Sequence, residues 1–158
     1  MVSNFDFALQ PGQALNKYMH HRYVLGWLLA LNAIYEVCLG YYIVRNRDFM
    51  LAQLGEIYRN LDMESITQVF ITCYSVDTVV TVITFGLGFY ALYSHKTKYY
   101  HWFNNMLLLS VFLKIIVSYL NVLNLLVFIL KIVLFLYARF LLSILYTVLV
   151  IPNEFQVQ

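Results

Sequence analysis

The sequence predicts an all-α integral membrane protein, a bundle of four transmembrane helices with a short interfacial helix between helices 1 and 2. Three observations predict it. Residues 103–151 form an apolar run broken by charge only at Lys114, Lys131 and Arg139. At about 49 residues, that run suffices for two crossings of about 20 residues each. Two further long apolar segments precede it, after Arg22 and after Ser65. The composition agrees, with 62% hydrophobic and 11% charged residues, where soluble domains carry about 25% charge. The 158 residues make a single membrane domain. A net charge of +2 gives no sign of nucleic-acid binding.

Residues 1–22 lack the basic start and short apolar core of a cleavable signal peptide. They read as an interfacial arm, with Lys17, His20, His21 and Arg22 at the headgroups. The first crossing is expected at 23–44, YVLGWLLALNAIYEVCLGYYIV, with Trp27, Tyr41 and Tyr42 at its interfacial ends. From Arg45 to Ser65 the chain is polar and mixed in charge. Apolar spacing at Phe49, Leu51, Leu54, Ile57 and Leu61 predicts a short amphipathic helix on the membrane surface. The second crossing spans 66–93, and SHKTKYYHW at 94–102 links it to the third, at 103–122. The fourth covers 125–151, with Asn121 and Asn124 marking a tight turn before it and Pro152 closing it.

Four crossings put both termini on one side. Lys17, Arg22, Lys96 and Lys98 fall there, against Arg45, Arg47 and Arg59 opposite, which favours cytosolic termini. Cys38 and Cys73 both lie in apolar segments and read as buried, unpaired thiols.

Charges within the crossings are the feature most in need of explanation, because each isolated one costs roughly 2.5–3.5 kcal/mol at the bilayer centre. Counted inward from the terminal side, Glu36, Asp77, Lys114 and Arg139 fall within about 8 Å of one another in depth. Two acids on the first helix pair and two bases on the second predict a charge-balanced quartet facing inward. Asn32 and Gly40 flank Glu36 at helical spacing. Cys73, Thr81, Thr84 and Gly88 flank Asp77. Ser110, Ser118 and Asn121 flank Lys114, and Ser143 and Tyr146 flank Arg139. Lys131 is expected to snorkel toward the 121–124 turn. The quartet holds the bundle together on the plainest reading. Alternatively, it offers a charge to a partner protein or a lipid headgroup.

Motifs that name a reaction are missing. His20, His21, His95 and His101 lack the spacing of a metal-binding helix. No histidine shares the depth of Asp77, so its neighbours Ser75 and Thr78 have no general base. FGLGFY lacks the strand–turn–helix setting of a nucleotide loop and reads as helix packing. No cofactor and no catalytic residue is expected.

With the segments in order, the chain resembles the regulatory subunit of fungal inositol phosphorylceramide synthase. The resemblance rests on Glu36–Gly40 (EVCLG) in the first helix and on LDMESI at 61–66. GFYALYSHK at 88–96 and LFLYARFLLSIL at 134–145 complete it. The tight turn at 121–124 and the tail NEFQVQ depart from that family's longer polar loop and basic tail. The resemblance implies a noncatalytic Golgi membrane subunit, with the endoplasmic reticulum as second choice. Such a subunit binds and supports the multipass catalytic subunit of the synthase, which transfers phosphoinositol to ceramide, among membrane lipids. The alternative from another class is a small transporter or proton-coupled carrier working through the intramembrane charges. A stand-alone lipid-modifying enzyme is a third reading, which the missing motifs disfavour.

Overall fold

The computed structural model describes the backbone of residues 11–94 and 96–154 and the side chains of 16–94 and 96–146. Residues 1–10 of the expected arm, His95 in the expected link and residues 155–158 of the tail lie outside the described residues. Five helices follow in order: α1 (Pro11–Arg45), α2 (Arg47–Ile57), α3 (Met63–Ser94), α4 (Thr97–Ser118) and α5 (Leu123–Glu154). Four of them, α1, α3, α4 and α5, are long and apolar enough to cross a membrane. The four-span all-α architecture is therefore as the sequence predicts, with α2 in place between the first two spans.

The helix ends differ from expectation, each for a local reason. Residues 11–22 are not an arm but the first turns of α1. Pro11 opens the helix at the position where a missing N–H removes no bond, and buried Tyr18 ties this extension to Tyr100. Likewise α4 starts at Thr97, and most of the expected polar link is helical. Pro152 does not close the last helix, which continues to Glu154. The tight turn stands at 119–122, and Asn121 Oδ1 accepts the Leu123 N–H at 3.0 Å where α5 begins. Asn124 holds the turn from the inside, donating to the Tyr74 hydroxyl at 2.8 Å and the Asn121 carbonyl at 3.2 Å.

Asp62 caps α3, its Oδ2 accepting the Ser65 N–H at 3.1 Å. Those hydrogen bonds from Ser65 hold its carboxyl below the usual carboxylate range. The cap's contribution is therefore fully present above the ordinary aspartate range and is lost as pH falls through the lowered value. Protection of the first turn of α3 against hydrogen exchange, relative to the intrinsic rate at each pH, should fall on that acidification, and Asp62→Ala should lower it at neutral pH. Unchanged exchange in the variant would mean the cap holds nothing.

The spanning helices form a ring in which α1 packs on α5, α5 on α4, α4 on α3 and α3 on α1. In that ring order α1 faces α4, and α3 faces α5, across the diagonals. The buried positions follow a heptad-like stripe on each helix. On α3 it reads Ile66, Phe70, Asp77, Thr81, Thr84, Gly88 and Ala91. On α5 it reads Asn124, Val127, Lys131, Leu134, Ala138, Leu141 and Leu145. Apolar cores occupy the two ends of the bundle. One gathers Leu25, Leu29, Tyr100, Phe103, Leu134 and Leu141 toward the terminal side. The other joins Met50, Leu51 and Leu54 of α2 to Leu39, Phe70 and Val127. Of the apolar residues expected on the interfacial helix, Phe49 and Ile57 are exposed, and Leu61 lies beyond the end of α2 and is exposed as well. Between the two cores lies a polar layer.

A rise of 1.5 Å per residue places Trp27 about 27 Å along α1 from Arg45, close to the roughly 30 Å of a bilayer's hydrocarbon. Trp27 is exposed, as an interfacial tryptophan should be. The turns of α1 before it extend past the hydrocarbon. There His21 Nδ1 lies 2.6 Å from the Tyr137 hydroxyl, and the Phe140 ring stands edge-on to His21.

Candidate functional site

Each spanning helix sends one charged side chain into the polar layer. Lys114 of α4 donates to Asp77 Oδ2 of α3 at 2.6 Å and to Glu36 Oε2 of α1 at 2.9 Å. The second carboxylate oxygen of Glu36, Oε1, lies 2.7 Å from Lys131 Nζ of α5. Lys131 also donates to Thr81 Oγ1 at 2.9 Å and to Ser110 Oγ at 2.5 Å. The result is an unbroken chain, Asp77–Lys114–Glu36–Lys131, with two carboxylates and two ammonium groups. Lys114 bridges α1 and α4, and Lys131 bridges α3 and α5 through Thr81, so the two lysines span both diagonals. Their four-carbon stems make this reach possible.

Three members of the expected quartet are brought together as the sequence predicts: Glu36, Asp77 and Lys114. The fourth is corrected. Arg139 is exposed and pairs with neither acid among the described residues. Lys131, expected to snorkel away, takes its place and is 1% exposed. Depth and direction both explain the exchange. Lys131 lies about 12 Å from the start of α5, level with Glu36 at about 13 Å from the end of α1, whereas Arg139 lies about 24 Å along. That depth puts Arg139 beside the terminal-side headgroups. Arg139 also follows Ala138 of the buried stripe by one residue, which turns it about 100° away from the interior.

Lys131→Met should therefore destabilise the detergent-solubilised protein, and Arg139→Gln should change its unfolding by no more than about 0.5 kcal/mol, as for exposed sites generally. The reverse order in thermal unfolding would refute the exchange.

Neighbours of the charges divide similarly. Asn32, Thr81, Thr84 and Ser110 are buried, and Ser118 donates to the Lys114 carbonyl at 2.6 Å. Gly40 is not packed against a helix; nothing lies within 4 Å of where its Cβ would stand. Cys38 and Cys73 are free thiols, and Cys38 is exposed rather than buried. Asn104, absent from the expected set, is buried about 15 Å along α4 from Lys114, and neither it nor Asn32 has a side-chain hydrogen-bond partner among the described residues.

A cleft of about 290 Å³ reaches this layer from the side, between α1 and α3. Ala33, Val37 and Gly40 line it on α1, Thr78, Val82 and Phe85 line it on α3, and Asp77, Glu36 and Lys114 form its floor. This seam is the least closely packed of the four in the ring. Asp77 Oδ1 is buried without a hydrogen-bond partner among the described residues, a state that costs about 1–3 kcal/mol when no donor meets it. Among the described residues, no group of His, Cys, Asp and Glu side chains could hold a metal ion.

Compared with family models, with curated proteins and with solved structures, the chain matches none of them.

Proposed function

We propose that this chain is a noncatalytic membrane subunit that binds and supports a multipass catalytic partner. The observation that carries the reading is the unbroken charge chain. Each acid has an ammonium group within 2.9 Å, and the four residues come one from each spanning helix. Charges arranged this way hold a scaffold in one shape. The outward face, studded with Tyr23, Trp27, Tyr41, Tyr93, Trp102 and Tyr119, is then available to lipid and to a partner. The resemblance of EVCLG, LDMESI, GFYALYSHK and LFLYARFLLSIL to the regulatory subunit of inositol phosphorylceramide synthase supports a partner in sphingolipid synthesis. On that resemblance the partner is the catalytic subunit of the synthase, in the Golgi membrane.

Affinity purification from native membranes in mild detergent tests this. A stoichiometric multipass protein carrying phosphoinositol transfer to ceramide, with the isolated chain inactive, is the expected result. A lone chain or a homo-oligomer would overturn it.

A proton-coupled carrier is the second reading, favoured by the cleft that brings Asp77 within reach of the bilayer. It requires proton or solute flux into liposomes from the purified chain, abolished by Asp77→Asn.

A further inference from the structure

We propose that the α1–α3 cleft is a binding site for an uncharged membrane lipid, whose hydroxyl group donates a hydrogen bond to Asp77 Oδ1. The site belongs to this chain alone and stands whether or not a partner enzyme binds elsewhere.

Four observations converge on this ligand. First, Asp77 is 4% exposed and lines the cleft, and its Oδ1 has no donor among the described residues while Oδ2 is held by Lys114. Oδ1 is itself buried, so a donor in the cleft completes the carboxylate through a small turn of the Asp77 side chain. Second, the charge cluster beneath the cleft is neutral as a whole, counting Lys131 behind the floor. Glu36 and Asp77 balance Lys114 and Lys131, so an anionic or cationic head would bring an uncompensated charge into the membrane interior.

Third, the cleft has the scale of a small-molecule site, about 290 Å³ against the roughly 300–1,000 Å³ of ligand pockets. A hydroxyl-bearing head with the start of an acyl chain fits. Fourth, the wall chemistry is graded. Tyr41 and Tyr74 stand toward the α2 end, Asp77 and Thr78 lie at the middle, and Val82 and Phe85 continue toward the terminal side. That order matches a polar head followed by a chain. With Glu36 only about 13 Å below the end of α1, a small uncharged head can descend to this level from the nearer headgroup layer.

The experiment uses the purified full-length chain in phosphatidylcholine nanodiscs, with a diacylglycerol carrying a photoreactive diazirine on one acyl chain. The expected crosslinks map to residues 33–43 of α1 and 74–85 of α3. Gly40→Trp, which fills the cleft one helical turn along α1 from Glu36, should lower labelling at least fivefold. Gly86→Trp, at an equally open glycine outside the cleft, should leave it unchanged. Unlabelled dioleoylglycerol should compete about tenfold better than its methyl ether, which cannot donate, as one hydrogen bond to a charged group sustains.

Labels spread evenly around the bundle and indifferent to Gly40→Trp would overturn the site. Equal competition by the methyl ether, or better competition by phosphatidic acid, would overturn the hydroxyl-to-Asp77 contact.

Discussion

Lys114→Met should cause the largest loss of stability of any single substitution in the charge cluster. Lys114 contacts both acids, at 2.6 and 2.9 Å, and is 2% exposed. Without it Glu36 still has Lys131, but Asp77 loses the only ammonium group it contacts among the described residues. Breaking a buried pair from one side costs about 3–5 kcal/mol, well above the roughly 0.6 kcal/mol average of interhelical hydrogen bonds in a membrane. For a chain of this length that is a fall on the order of 10 °C in Tm.

Two comparisons separate charge from packing. Asp77→Asn should be milder, because Lys114 keeps Glu36. Lys114→Met with Asp77→Asn restores charge balance and should recover more than half of the loss, as coupled neighbours do. Thermal unfolding in detergent, followed by size-exclusion chromatography, measures all three. A double variant no more stable than Lys114→Met would mean the lysine matters only as a space-filler.

How much of this was legible in the sequence follows from what each helix could display. On α3 the polar and small residues Asp77, Thr81, Thr84 and Gly88 recur at helical spacing among apolar neighbours, so the inward stripe was readable, and all four are buried. On α5 almost every position is apolar, and periodicity has nothing to contrast. Its true stripe is marked only by Asn124, Lys131 and Ala138, seven apart. Counting depth inward from an end at residue 151 favours Arg139. The helix continues to Glu154 and past the hydrocarbon, so that origin was wrong.

The same cause displaced the start of α1. Polar residues 11–22 do not look membranous, yet helix propensity, an opening proline and burial of Tyr18 carry the helix through them. Neither the α1–α3 cleft nor the partnerless Asp77 oxygen could be read from sequence. Both depend on how closely two particular helices approach.

That approach is governed on its other side by Gly88, and substitution there should produce the second large effect. FGLGFY reads from sequence as a packing motif, but its two glycines are not equivalent. A Cβ on Gly88 would stand 2.8 Å from Phe103 Cε2 and 2.9 Å from Leu29 Cδ2, whereas one on Gly86 would meet nothing within 4 Å. Leu29 and Phe103 are both 0% exposed, so neither can swing aside. Gly88→Ala should cost about 1–3 kcal/mol as an overpacked core, and Gly88→Leu more. Gly86→Ala should stay within about 0.5 kcal/mol of the native chain.

The contact that forbids a larger residue can be named by coupling. Phe103→Leu shortens the side chain that the new methyl would strike. Combined with Gly88→Ala it should therefore be less harmful than the two separate losses added, by at least about 0.5 kcal/mol. Strict additivity would place the obstruction at Leu29 instead. Equal tolerance at Gly86 and Gly88 would mean that α1, α3 and α4 are not held as closely at this level as the geometry requires.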